Sequence, residues 1–128
     1  MKFDADAQTG KAQVQVQWIK CGDAYCELNT VDLQHHAFDG VEGVYIIWYV
    51  GQNNPVVRVG QGVIRDRLAA HRKDKAVQAY AKTRLFVTWA AVPAAYRDGV
   101  EKFLADQYTP LVGERFPDRI PVAVNLPQ

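Results

Sequence analysis

The stretch from Gly43 to His71 constrains this chain more than any other. Val44 to Val50 is an almost unbroken run of apolar, β-branched and aromatic residues, which reads as a strand buried on both faces. The turn Gly51-Gln52-Asn53-Asn54-Pro55 stops it, and Val56 to Val59 follows as a second strand that Gly60 and Gly62 end. From Ile64 the pattern becomes helical, with Ile64 and Leu68 four apart and alanines at 69 and 70. Arg67 and His71 are also four apart and share a face beside that apolar stripe, where a polar pair can look into a cleft. A hairpin running straight into an amphipathic helix therefore occupies the middle of the chain.

The flanking segments extend this plan. Val14, Val16 and Trp18 alternate with glutamines, the period-two pattern of a half-buried strand over residues 13 to 20. Gly22 and Asp23 turn the chain so that Tyr25 to Leu33 can run back beside it as an N-terminal hairpin. Downstream, a short helix spans Ala76 to Ala81, and Arg84 to Val92 reads as a further strand closed by Pro93. A helix over Ala95 to Tyr108 carries Tyr96, Val100, Phe103 and Leu104 on one side and Glu101 on the flank, and Pro110 ends it. The tail is broken by Pro117, Pro121 and Pro127, leaving only Val122 to Val124 as a short strand.

The pattern predicts an α+β domain, a small central antiparallel sheet flanked by helices with an N-terminal β-hairpin extension. A chain of 128 residues has room for one domain. Residues 1–40 form the extension, 41–110 the core, and 111–128 a tail packing on that core.

The apolar run from Val41 to Val50 is broken by Glu42 and falls far short of a membrane span. The opening MKFDADAQTGK has no apolar region of the kind a secretory signal carries, so the expected location is cytoplasmic. In that reducing compartment Cys21 and Cys26, which bracket the Gly22-Asp23 turn, are expected to stay free thiols. Joining them to His35 and His36 as a zinc site matches no common spacing, and adjacent histidines on a strand would point to opposite faces.

Net charge is +1, but its distribution is uneven. Between Arg58 and Arg84 stand eight Lys or Arg residues against Asp66 and Asp74 alone, while the remainder is net negative. This is an electrostatic footprint for a phosphate backbone, with Arg65, Arg72, Lys73 and Lys75 as candidate nucleic-acid contacts. A solvated helix face gives the same pattern.

Phosphodiester cleavage requires charge neutralisation at the phosphate, a base for water and fixed positive charge for the transition state. Glu101 offers carboxylate oxygen to a divalent ion, Arg67 a bidentate grip on phosphate, and Tyr45 or His71 a proton-transfer group. Taken singly, each has a plainer role open to it: core aromatic, surface arginine, helix-face histidine, solvated carboxylate.

Their order and spacing resemble a known family. Gly43-Val44-Tyr45 is similar to the first half of the GIY-YIG nuclease signature, and Arg58-Val59-Gly60 stands where the second half follows the hairpin turn. Gln61 to His71 (QGVIRDRLAAH) resembles the family's loop and helix, with arginine and histidine four apart. Val100-Glu101-Lys102-Phe103-Leu104, then Tyr108-Thr109-Pro110, resembles the helix that bears the metal-binding glutamate. The resemblance covers Gly43 to Pro110. It implies a metal-dependent endonuclease acting on DNA with one Mg²⁺ or Mn²⁺ held by Glu101. Tyr45 would help deprotonate water, Arg67 would stabilise the transition-state charge, and His71 would assist in proton transfer or phosphate contact.

Two departures qualify the likeness. The second tyrosine is replaced by Arg58, which binds phosphate but moves no proton. Tyr49, expected to face Arg58 across the hairpin, is a candidate for the missing phenol. The asparagine that the family places shortly after the helix is also missing from its usual distance, and Asn125 is the nearest substitute. Two other readings stay open: a catalytically inactive nucleic-acid-binding module on this fold, and a protein-interaction domain whose Trp18, Trp48 and Trp89 are simply core.

Overall fold

The computed structural model describes residues 14–113 and 116–128. The opening residues read above for a targeting signal lie outside them. Four strands form one antiparallel sheet: β1 (Cys26–Glu27), β2 (Glu42–Tyr49), β3 (Val56–Val63) and β4 (Leu85–Ala91), in the spatial order β1-β4-β2-β3. Three α-helices accompany it, α1 (Ile64–His71), α2 (Lys75–Gln78) and α3 (Ala94–Tyr108), and one 3₁₀ turn spans His36–Phe38. The chain is thus an α+β domain. No helix among the described residues is long and apolar enough to cross a membrane.

β2 is central, and its side chains alternate between two cores. Tyr45 and Ile47 enter one core with Leu28, Phe38, Ile64, Leu68, Val77 and Trp89. Val44 and Ile46 enter the other, with Val59, Val100, Leu104 and Val124. Continuous hydrophobicity along 44–47 is therefore the mark of a strand covered on both sides. Truncating Ile46 or Ile47 to alanine would remove about 2–5 kcal/mol.

Two predicted elements take a different form. The N-terminal segment makes no hairpin: Cys21 and Ala24 form an isolated bridge, and β1 keeps only two residues, paired with β4. Residues 14–19 instead reach distant partners, Val14 bridging Val124 in parallel and Ile19 N–H donating to Trp89 O. The glutamine alternation is real, but its partners are the far end of the chain and β4, not residues 25–33. β3, in turn, does not stop at Gly60 but runs through both glycines to Val63, because Gly43, Val44 and Tyr45 pair with Gly62, Gln61 and Gly60.

Cys21 and Cys26 are joined in a disulfide, contrary to the expectation of free thiols. The tight turn at Gly22, with φ of 72°, brings their Cα atoms to 5.0 Å, within disulfide reach. His35 and His36 lie on no strand: they begin the 3₁₀ turn and their rings stack 4.3 Å apart.

Candidate active site at the edge of the sheet

β3 is an edge strand, and the tail covers only its start, through Leu111 and Val112 N–H groups donating to Val56 and Val57 carbonyls. Beyond that point Gly60 and Gly62 leave the edge without side-chain bulk. A Cβ at Gly60 would run into the Tyr45 hydroxyl. Gly62 takes φ of 132°, a region that favours glycine, and the Arg67 aliphatic stem passes 3.2 Å from where its Cβ would be. Through this gap polar groups from both faces of the sheet approach one another.

From the α1 face come Tyr45, His71, Arg67 and Arg58. Tyr45 is fully buried, and its hydroxyl lies 2.5 Å from His71 Nε2. His71 is 3% exposed, and burial, reinforced by Arg58 and then Arg67, lowers its pKa to about 4, so the ring is neutral at pH 7. Asp74 Oδ2 stands 3.7 Å from His71 Nδ1, too far for a hydrogen bond but close enough to favour the proton on that nitrogen. Nε2 is then the acceptor of the Tyr45 O–H.

Arg58 and Arg67 are partly buried, and neither takes part in a salt bridge among the described residues. The Nε atoms of both, like His71 Nδ1, are buried without a hydrogen-bond partner. Arg58 Nη1 lies against Gly113 of the returning tail. Buried guanidinium N–H groups are costly to leave unpaired, so the Nε–H groups of Arg58 and Arg67 suit an anion, whereas His71 Nδ1 already stands beside Asp74.

From the α3 face comes Glu101, 8% exposed. Burial raises its pKa, while a hydrogen bond from Gln61 and the charges of Arg58 and Arg67 pull it down and Asp98 pushes it up. Gln61, opposite Val44 and so on the α3 side, sends one Nε2 to Glu101 Oε1 at 2.7 Å and to Asp98 Oδ1 at 2.5 Å. Two carboxylate oxygens thus converge on a single point filled by the positive end of an amide. Among the described residues no group of three or more His, Cys, Asp or Glu is placed to hold a metal. Mg²⁺ and Mn²⁺ nonetheless suit this oxygen set, since Mg²⁺ commonly takes one or two carboxylates and keeps several waters.

Tyr45 and His71 therefore meet directly, and Arg58 and Arg67 lie near enough to both His71 and Glu101 for their charges to bear on each. The other candidates stand elsewhere. The β2–β3 register lies two residues from the expected one, so Ile47, not Tyr49, stands opposite Arg58, and Tyr49 stacks on Tyr80 at 5.6 Å. Asn125 pairs with the Val16 backbone, Oδ1 accepting at 2.8 Å and Nδ2 donating at 2.9 Å, as a neighbouring strand would. Arg65 is held by Leu33 O, His35 O and Asp39, and Arg72 by the carbonyls of Leu28 and Val31. Lys73 and Lys75 are exposed.

Gln61 and Asp98 escaped the sequence reading. Asp98 precedes Glu101 by three positions and so shares its helix face, a signal that was available. Gln61, between two glycines expected to end the strand, gave none. No family model matches the chain, and neither does any curated protein or solved structure.

Proposed function

We propose that the chain is a metal-dependent endonuclease of GIY-YIG type that hydrolyses DNA phosphodiester bonds at the open edge of β3 by a one-metal mechanism. The observation that carries this reading is the pair of unpaired buried Nε–H groups on Arg58 and Arg67, whose charges act on both His71 of the Tyr45–His71 pair and Glu101. An anion with several oxygens, bound next to a proton-transfer couple, is what a scissile phosphate requires.

In this reading Arg67 and Arg58 hold the non-bridging oxygens and offset the charge that builds on phosphorus. Neutral His71 accepts the Tyr45 proton at Nε2 as the Tyr45 oxygen takes one from the attacking water. The water oxygen bonds to phosphorus and the bond to the leaving oxygen breaks. Glu101, with Asp98 and Gln61 alongside, would hold one Mg²⁺ or Mn²⁺. When bound, that ion supplies Lewis-acid neutralisation of the phosphate and the leaving oxygen. Burial is the largest cause of the raised Glu101 pKa, and a cation bound at the carboxylate would oppose it by favouring the charged form.

Arg58 at the place of the second tyrosine favours a second reading, an inactive nucleic-acid-binding module on this framework. Incubating plasmid and oligonucleotide DNA with Mg²⁺ or Mn²⁺, parent against Glu101→Ala, separates the two. Cleavage by the parent that falls by about three orders of magnitude in the variant supports the enzyme. Salt-sensitive binding without any cleavage would support the module.

A further inference from the structure

On the α3 face of the sheet, away from the Tyr45–His71 pair, lies a cavity of about 280 Å³ that the cleavage chemistry leaves unused. Ile46 and Val56 form part of its apolar lining, and three aromatic side chains, Tyr25, Trp48 and Tyr108, border it. Tyr25 stands edge-on to Trp48 at 5.0 Å between centroids, an arrangement that fixes the indole. Among the described residues no charged side chain lines the cavity.

Its polar side chains are uncharged, and the backbone of Gln128 lies among them. Asn54, in the β2–β3 turn, accepts the Gly51 N–H at Oδ1, which leaves its Nδ2 protons for another acceptor. The Tyr25 hydroxyl donates to Gln128 O. Burial raises the Tyr25 and Tyr108 pKa values, that of Tyr108 to about 12, so both phenols stay protonated at neutral pH. At the rim Lys20 Nζ sits 4.8 Å from the Tyr25 ring centroid.

Flat aromatic walls, neutral amide and phenol groups, and a cation at the rim suit one ligand class: a planar uncharged heteroaromatic ring attached to an anionic chain. Tyr108 follows Glu101 by seven residues, nearly two full turns, so it lies on almost the same side of α3 about 10 Å along the axis. A strand whose phosphate is held by Arg58 and Arg67, whose charges reach Glu101, thus has the cavity close at hand. We infer that this cavity receives an unpaired nucleobase of a single-stranded or locally opened DNA, stacked at Trp48 and Tyr108 and hydrogen-bonded by Asn54. The inference rests on the endonuclease reading for its source of DNA, and it narrows the substrate from any phosphodiester to strands with a base out of the duplex. Stacking of this kind is tolerant of base identity and strong per base.

The test measures binding of the full chain, without divalent ions, to a labelled single-stranded oligodeoxynucleotide and to one of equal length built from abasic residues. The expected result is a base-bearing strand bound about ten- to a hundredfold more tightly, with quenching of tryptophan fluorescence. Trp48→Leu and Tyr108→Ala should erase that preference yet keep the salt-dependent binding of the abasic strand, and Trp48→Phe should retain it. Asn54→Asp, at an exposed turn, keeps the acceptor for Gly51 and removes the donor, so it serves if a core variant melts early. It should weaken only the base-bearing strand. Equal binding of both strands by the parent, or an undiminished preference in well-folded Trp48→Leu and Asn54→Asp, would overturn the pocket. A parent that prefers bases but never cleaves with Mg²⁺ or Mn²⁺ overturns the endonuclease reading and supports the pocket. A parent that cleaves without base preference does the reverse.

Discussion

Two pairs of arginines frame α1 and meet opposite fates. Arg65 and Arg72 reach towards residues 28–39, and each guanidinium donates to two backbone carbonyls, Arg65 adding Asp39. Arg58 and Arg67 reach towards the edge of β3 and keep buried Nε–H groups unpaired. Charge density along the chain is the same for both pairs, so it says nothing of their use. What separates them is local supply. The 28–39 segment turns repeatedly and brings four carbonyls to Arg65 and Arg72, whereas no acceptor among the described residues meets the Nε–H of Arg58 or Arg67.

The largest break in this symmetry should come from Arg67→Ala, which on the endonuclease reading lowers kcat by about a hundred- to a thousandfold. Thermal melting should show little loss of stability, because the side chain leaves with its own unpaired group. Arg72→Ala should do the opposite. Two carbonyls lose charge-assisted partners, stability falls by about 3 kcal/mol, and the turnover of the folded fraction is unchanged. A denaturant titration beside a cleavage assay reads both, and equal behaviour of the two variants would dissolve the distinction. Tyr45→Phe sharpens it further. Removing the hydroxyl should slow cleavage by about a hundredfold while binding of uncleaved DNA in EDTA stays as in the parent.

A smaller effect concerns pH. In the unfolded chain His71 takes its proton near 6.5, whereas in the fold it does so only at about 4. As pH falls through that window the unfolded state binds the extra proton, so stability is full above 6.5 and about 3 kcal/mol lower by 4. Glu101 acts in the opposite sense. Its raised pKa gives stability below the ordinary carboxylate value, lost as pH rises through the folded one. Urea midpoints from pH 7 to 4 should therefore decline less steeply in His71→Phe than in the parent. The least effect belongs to Lys73 and Lys75, exposed beyond α1. Alanine at either should reduce the salt dependence of DNA binding by about one phosphate contact without touching cleavage of bound DNA.

The sequence made the centre of the molecule legible because its signals are local. The Val44 run, the turn at Gly51 to Pro55 and the switch of period at Ile64 each report on neighbours a few residues away, and β2, β3 and α1 follow them. Arg67 and His71 were placed on one face by spacing alone. Register was harder to read. The hairpin ladder sits two residues from the pairing expected of the turn, which gives Arg58 Ile47 as its partner and leaves Tyr49 to Tyr80. The N-terminal segment was read as a hairpin because alternation identifies a strand but not its partner, and the partner here is more than a hundred positions away. Likewise, Asn125 had the right chemistry to serve a site, and only the fold reveals that it serves the Val16 backbone.

That pairing sets an order of assembly. Val16 and Asn125 are separated by 109 positions, and Trp18 Nε1 donates to Asn125 O across 107. Closing so long a loop is entropically costly and gains nothing until the intervening chain is in place. The hairpin and α1, built from adjacent residues, can form while synthesis continues. The segment from Val14 to Trp18 has to wait for the tail to emerge. The placing of Arg67 and the Tyr45–His71 couple should therefore arise early in folding, and the cavity between Tyr25, Trp48 and Tyr108 should be completed last.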